Sequence, residues 1–474
     1  MASETLTETG AMNGTGGTAA GIAERQRRFF RTDATRDLAF RKRQLRALRD
    51  MLTGNEAEIL DAMKRDLGRP PMEAWNSEIG LLLGEIDTAL GRLDRWARPK
   101  RIATPLLLQP GSSRIVPEPF GTCLVIGPWN YPLYLVLAPA IAALAAGNCV
   151  VLKPSELAPA TSALTARMIG ETFDPDFLAV VEGGVEPTQA LLAQKFDYVF
   201  YTGSTKVGRI VMAAAAEHLT PVTLELGGKN PCIVAADADM QTAARRIAWG
   251  KFFNAGQTCI APDFVLVPRA AEKELVDALK SAIRDFYGED PAASPDYARI
   301  VNKRHFDRLA GFLDRGTVVA GGATDRDARY FAPTVVTGVT WDDPVMEGEI
   351  FGPILPVIAT DDLDAEIEAL RDRPKPLALY VFTADRDHAD TVLARLSSGG
   401  AAVNDVFAQM LNPKLPFGGV GESGMGAYRG KTGFDTFSHH RAVARRATWP
   451  DPSLKYPPYR MPLAMMKRLM PWLV

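Results

Sequence analysis

The sequence predicts an α/β protein built around a doubly wound parallel sheet, with a second α/β region after it. Three observations carry this. Between residues 122 and 225, five short β-rich runs alternate with four helical ones, a pattern that requires crossover connections and hence parallel strands. Four of those five runs empty into polar or glycine-rich segments, the place where such sheets hold their ligands. Beyond residue 225 the alternation resumes with new helices and strands.

In chain order, residues 1–23 are rich in Gly, Thr, Ala and Ser without a basic stretch followed by an apolar one, and read as a disordered leader rather than a signal peptide. Residues 24–31, 35–52 and 56–67 have helical periodicity, the second with Leu38, Leu45 and Leu48 on one face, and serve as scaffold. Residues 101–119 turn Pro-rich with an apolar alternation, as an extended hairpin would. The sheet region follows, with strands at 123–126, 149–152, 178–181, 198–201 and 222–224 and helices at 134–146, 160–171, 187–193 and 206–217. The run 133–146 has 14 apolar residues, short of the roughly 18 of a membrane-spanning helix, and reads as a buried helix. Helices at 240–253 and 271–287 and strands at 263–267, 355–358 and 377–382 make the second region. Residues 416–426 form a glycine-dense loop, and 434–439 read as a strand. The tail carries Met465, Met466, Leu469 and Trp472 with Lys467 and Arg468, and reads as a docked helix, with a lid over a substrate tunnel or a peripheral membrane contact as alternatives.

A chain of 474 residues, 47% hydrophobic and 23% charged, has room for two or three domains. Its net charge of −2 offers no basic surplus for nucleic acid, so a small-molecule ligand is expected. Cys123, Cys149, Cys232 and Cys259 show neither CxxC pairing nor metal-ligand spacing, which argues for reduced thiols, no metal and a cytoplasmic setting.

Cys259, in Gly256-Gln-Thr-Cys259, is the candidate nucleophile; taken alone, a free cysteine is as readily a small core hydrophobe. The histidines fall outside the cysteine and glycine-rich motifs, which leaves a carboxylate as the expected base. Glu225 ends a strand, where burial would raise its pKa; otherwise it is a surface carboxylate. Asn130 offers an amide N–H that can join the Cys259 backbone N–H around an oxyanion, or else satisfies its own turn. Gly203-Ser-Thr-Lys-Val-Gly208 runs from strand to helix and is either a pyrophosphate cradle or a plain turn. Lys153 stands after a strand, within reach of ribose hydroxyls or simply solvated.

Taken together, Gly127-Pro-Trp-Asn-Tyr-Pro132, Lys153-Pro-Ser-Glu156, Gly203-Ser-Thr-Lys-Val-Gly208, Leu224-Glu-Leu-Gly-Gly-Lys229, Gly256-Gln-Thr-Cys259, Glu349-Ile-Phe-Gly-Pro353 and Pro416-Phe-Gly-Gly-Val-Gly421 resemble, in order and spacing, the motif set of the aldehyde dehydrogenase superfamily. Ile260-Ala-Pro-Asp-Phe264 and Tyr456-Pro-Pro-Tyr459 look like its class 3 branch of fatty and aromatic aldehyde dehydrogenases. The resemblance implies NAD(P)-dependent oxidation of a hydrophobic aldehyde, long-chain, aromatic or polyene, to the acid. Cys259 would form the thiohemiacetal and then the thioester, Asn130 would hold the oxyanion and Glu225 would activate water. Trp129, Lys153, Glu156, Gly203, Ser204, Thr205, Gly208, Glu349 and Phe351 would bind the cofactor, with Glu349 on the nicotinamide ribose. Glu156 near a 2′-hydroxyl would favour NAD over NADP. The family fold would divide the chain into a dinucleotide-binding domain (24–100 and 120–225), a catalytic domain (226–432), a small β bridging segment for oligomerisation (101–119 and 435–446) and a tail (447–474), in a homodimer. The competing expectation is a catalytically silent binding or structural protein on the same scaffold, whose clearest mark would be loss of the cysteine; Cys259 is present.

Overall fold

The computed structural model describes residues 17–453 and 456–473. Most of the expected leader lies outside these residues, but its end does not belong to it: Ala19–Phe30 is a helix, capped by the Thr18 hydroxyl, which accepts the Gly21 N–H at 3.2 Å. Ala19, Ile22, Ala23 and Gln26 recur on one buried face, and Gln26 donates from Nε2 to the Val150 carbonyl at 2.8 Å. A composition of small residues hid a helical stripe that is only four positions long.

The strands in chain order are β1 (Lys100–Ile102), β2 (Gly111–Pro119), β3 (Thr122–Ile126), β4 (Cys149–Lys153), β5 (Leu178–Val180), β6 (Tyr198–Thr202), β7 (Val222–Glu225), β8 (Pro231–Val234), β9 (Phe264–Pro268), β10 (Thr317–Ala320), β11 (Thr324–Asp325), β12 (Tyr330–Phe331), β13 (Thr334–Thr337), β14 (Ile354–Thr360), β15 (Ala378–Phe382), β16 (Gly400–Val403), β17 (Gly424–Met425) and β18 (Ser438–Arg446). One sheet runs β17-β7-β6-β3-β4-β5 and is parallel except for β17. Its central pair β3 and β6 is where chain order reverses, so the crevice beyond their carboxyl ends is the position for a ligand. A second sheet runs β10-β13-β14-β9-β8-β15-β16, parallel except for β10. The short β11–β12 hairpin stands apart, and β1, β2 and β18 form a third, antiparallel sheet, with β18 registered on β2 from Ser438↔Pro119 to Arg446↔Gly111.

The helix Tyr134–Ala146 is buried at every position, which accounts for its uninterrupted apolar run. Among the described residues no helix is long and apolar enough to cross a membrane. The stretch read as a strand at 434–439 is instead the end of the helix Gly430–Thr436 followed by the start of β18. Phe434 and Phe437 both point inward from this turn, Phe434 against Trp96 at 5.8 Å between ring centroids, and that burial outweighs the β-favouring composition. The tail forms the helix Leu463–Leu473, beside the turn Leu106–Leu108.

Candidate active site

Cys259 sits in an irregular loop between the helix Met240–Phe252 and β9, half-buried and unpaired. The chain enters that loop through three successive positive-φ residues, Asn254 (53°), Ala255 (50°) and Gly256 (74°). Such turns persist only when their surroundings hold them, and here they do. Asn230 donates from Nδ2 to the carbonyls of Cys259 (2.8 Å) and Ala261 (3.0 Å). Gln257 donates from Nε2 to Asn254 and Arg299 carbonyls at 3.0 Å each, and Tyr380 Oη donates to the Ile260 carbonyl at 2.6 Å. At Gly256 a Cβ would stand 2.2 Å from the Gly352 carbonyl oxygen, so this glycine lets the cysteine loop lie directly on the loop that carries Glu349.

Asn130 follows β3 and is fixed on both sides. Its Nδ2 donates to the Gln257 carbonyl at 3.1 Å, which spends one amide hydrogen and leaves the other. Its own carbonyl accepts from Asn254 Nδ2 (3.0 Å) and from Arg69 Nη2. Arg69 is fully buried and paired with Glu78, Nη1 to Oε1 at 2.5 Å, while Glu78 Oε2 accepts the N–H groups of Leu133 (3.0 Å) and Tyr134 (2.7 Å) at the start of their helix. One ion pair thus holds the Asn130 backbone and the helix behind it.

Glu225 is the last residue of β7, in register with Thr202 of β6 and Gly424 of β17. Both its carboxylate oxygens are buried without a partner among protein atoms, and burial pushes its pKa well above the carboxylate range. Glu349 is pushed up likewise, by burial first and then by the Asp263 charge, against Lys229, Lys251 and Arg308. Its loop is tied down by Lys229, which reaches Asp263 (2.5 Å) and the carbonyls of Val345 (2.8 Å) and Gly348 (2.9 Å), and by Arg308, which donates to the Ile350 carbonyl at 2.5 Å. The Cys259 thiol is raised by burial and by the charges of Glu349 and Glu225, while the N–H groups of Cys259 and Ile260 favour its thiolate.

Two cavities meet here. The larger, about 690 Å³, is walled by Trp129, Asn130, Gly203, Ser204, Thr205, Glu225, Cys259, Glu349 and Phe351 among others. The smaller, about 260 Å³, is mainly apolar, with Met72, Trp249, Phe253, Phe407, Met410 and Phe417 in its wall, and it too reaches Glu225 and Cys259. Nine of the twelve residues singled out from sequence therefore line the larger cleft; Lys153, Glu156 and Gly208 lie off its wall. Lys153 is buried at the end of β4, donating to the Pro154 carbonyl at 2.5 Å, with the half-exposed Glu156 carboxylate 3.7 Å away. Gly208 is buried in the helix Thr205–Ala216, where a Cβ would meet Leu226.

One histidine is distant from the motifs only along the chain: His305 lines the larger cleft, its ring 5.1 Å from that of Trp129, its pKa lowered to about 4 by burial and by Arg308 and Arg304. It is a neutral ring at ordinary pH. Among the described residues the tail helix lines neither cavity. Sequence reading missed the buried Arg69–Glu78 pair and the wall of the smaller cavity, which are gathered from several helices and from the segments between them, where single apolar and charged positions look like any core residue; the one local signal was Arg69-Pro-Pro71 at a helix boundary. Among the described residues no cluster of His, Cys, Asp or Glu suited to a metal occurs.

The chain matches the family model described as "Aldehyde dehydrogenase family" over residues 13–443. It is 48% identical over 434 residues to the 4,4'-diaponeurosporen-aldehyde dehydrogenase of Staphylococcus aureus, covering 91% of this chain and 95% of that protein. It is 46% identical over 437 residues to the dimeric NADP-preferring aldehyde dehydrogenase of Rattus norvegicus, covering 92% and 96%. Among solved structures it resembles the substrate-bound state of Staphylococcus aureus AldH, with a TM-score of 0.94 at 45% identity over 96% of this chain and 100% of the other. The Mycobacterium tuberculosis aldehyde dehydrogenase complexed with NAD+ gives 0.79 at 28% identity, over 90% of each chain.

Proposed function

The chain belongs to the aldehyde dehydrogenase family, and from that premise we propose that it oxidises hydrophobic aldehydes to carboxylic acids through Cys259, with NAD preferred to NADP. The observation that carries this reading is the wall shared by the two cavities: Cys259 and Glu225 line both the roomier cleft, the more polar of the two, and the mainly apolar pocket beside it.

The residues of the larger cleft fit a nicotinamide nucleotide. Ser204 caps the helix Thr205–Ala216, whose N-terminal N–H groups suit a pyrophosphate. Trp129 and Phe351 stand edge to face at 5.2 Å. Glu349 Oε1 is buried without a protein partner, as an acceptor awaiting ribose hydroxyls would be, and Gly227 leaves room for this carboxylate, since a Cβ there would meet Glu349 Oε2 at 2.1 Å. When bound, the nicotinamide supplies the hydride acceptor.

In this reading the Cys259 thiolate attacks the aldehyde carbon, and the oxyanion that forms is held by the remaining Asn130 N–H and the Cys259 backbone N–H. Loss of hydride leaves a thioester on Sγ. Glu225 then takes a proton from water as the water attacks; burial raises its pKa and makes it a stronger base than an exposed carboxylate. The apolar wall of the smaller cavity favours long-chain, aromatic or polyene aldehydes over short polar ones. Glu156 supports NAD, since a carboxylate there repels a 2′-phosphate, while the Lys153 cation 3.7 Å from it pulls toward NADP. A cytoplasmic homodimer completes the proposal, with light scattering as its check on assembly.

The test is the absorbance of reduced nicotinamide with short, long-chain, aromatic and polyene aldehydes, each with NAD and with NADP. Turnover that vanishes in Cys259→Ser, with cofactor binding kept, is the expected result. Silence across the panel with cofactor bound would turn the reading toward a silent binding protein.

A further inference from the structure

The smaller cavity is apolar over most of its wall, yet several residues of that wall carry uncommitted polar atoms. Tyr134 and Arg429 both line it together with Glu225 and Cys259. Tyr134 Oη, Arg429 Nη1 and both Glu225 oxygens are buried and lack any partner among protein atoms. The tyrosine is 2% exposed and the arginine side chain 2%. Each unpaired buried group costs on the order of 1–3 kcal/mol, so convergence of several on one cavity needs an explanation.

Nor is Arg429 there by default. Its backbone is left-handed at φ 83°, and its Nε is anchored to Glu85 Oε1 at 2.8 Å while the other Glu85 oxygen accepts the Gly430 N–H at 3.1 Å. The strain and the anchor together fix the guanidinium in the cavity wall and leave its Nη1 uncommitted. Tyr134 begins the helix Tyr134–Ala146, with its N–H pinned by Glu78. The Tyr134 hydroxyl is within electrostatic reach of Arg429, Glu85, Glu225 and Cys259. A cavity of about 260 Å³ has room for ordered water, which needs two to four polar partners and occupies about 30 Å³ each.

We propose that Tyr134 and Arg429 hold the water that Glu225 activates, making them positioning residues for release of the acyl group. The attacking water donates one hydrogen to Glu225 and the other to Tyr134 Oη, so a lone pair stays directed at the acyl carbon. Arg429 Nη1 donates to a second water bonded to the Tyr134 hydroxyl and fixes the phenol's orientation. In the step itself the water oxygen forms the new C–O bond, its proton passes to the Glu225 carboxylate, the C–S bond breaks and the electron pair returns to Cys259 Sγ. The inference rests on the Cys259 thioester reading given above, and it also accounts for a tyrosine hydroxyl left unpaired in an apolar wall.

Tyr134→Phe is the decisive variant, because it removes an atom that makes no protein hydrogen bond. A purely structural tyrosine would lose nothing, and melting should be unchanged or slightly raised. We expect hydride transfer, read as the first-turnover burst of reduced nicotinamide with a long-chain aldehyde, to be kept. The acyl-enzyme lifetime, followed by intact mass after one turnover, should lengthen about tenfold, the loss of one hydrogen bond in the transition state. Added hydroxylamine, a nucleophile that needs no held water, should restore turnover. Arg429→Lys, which keeps a cation for Glu85, should show the same split with a smaller change. An unchanged acyl-enzyme lifetime in Tyr134→Phe, or a burst slowed as much as deacylation, would overturn the proposal while leaving the Cys259 chemistry standing. Failure of the wild-type chain to form an acyl-enzyme at all would instead overturn the underlying reading.

Discussion

Burial raises the pKa of both Cys259 and Glu225, so nucleophile and base on one wall each hold a proton more tightly than they would in water. The sign of the pH dependence follows. Glu225 acts as a base only when ionised, so deacylation should rise with pH along a limb well above the carboxylate range, and Glu225→Gln should keep the first burst while cutting steady-state turnover by about 10²–10⁴. Burst kinetics over pH check both. Glu73 gives a stability counterpart. It lines the smaller cavity, its Oε2 accepts the Asn254 N–H at 3.1 Å, and burial against the opposing Arg69 charge raises its pKa to about 7. A carboxyl raised in the folded state favours folding below its unfolded pKa and loses that contribution as pH rises through the folded one. Glu73→Gln, which keeps the acceptor, should therefore melt progressively higher than wild type as pH goes from about 5 to 8, by about 2–4 °C at the upper end. At this scale the motif residues were legible because each follows a strand or a glycine, where chemistry gathers. Tyr134, Arg429 and Arg69 were not, because their meaning lies in unpaired or paired atoms that only packing reveals.

The loops after strands place the chemistry, and two of them touch at Gly256 and Gly352. Gly256→Ala would put a Cβ into the Gly352 carbonyl at a φ of 74°, so both loops would have to move. The variant should lose at least about 3 kcal/mol of stability or fold with the cysteine loop displaced, checked by thermal melting together with thiol alkylation of Cys259. Arg69→Met would strand the buried Glu78 and should cost about 3–5 kcal/mol, read in the same melt. The strands of the parallel sheet were legible to within about a residue, because fully buried strands between glycine-rich turns have few competing readings. The first helix and the turn at residues 434–437 were not, since a stripe of small residues and a pair of phenylalanines acquire direction only against the core they pack on.

Across the molecule, two sheets bring the ends of β3, β6 and β7 to face the loop before β9, and the site belongs to neither sheet alone. The tail helix stays outside this meeting. Deleting residues 461–474 should leave the melting temperature and the aldehyde chain-length profile unchanged in the isolated subunit; an altered profile would mean the tail reaches a site it does not touch in this chain. The two chambers that share Cys259 also differ in what fills them. A molecule occupying one leaves most of the other's wall free. A single synthetic compound with a nucleotide-like limb and a greasy limb, joined by a linker short enough to pass the sulfur, would engage both at once. Its grip would approach the product of the two separate affinities, and neither limb alone would displace it.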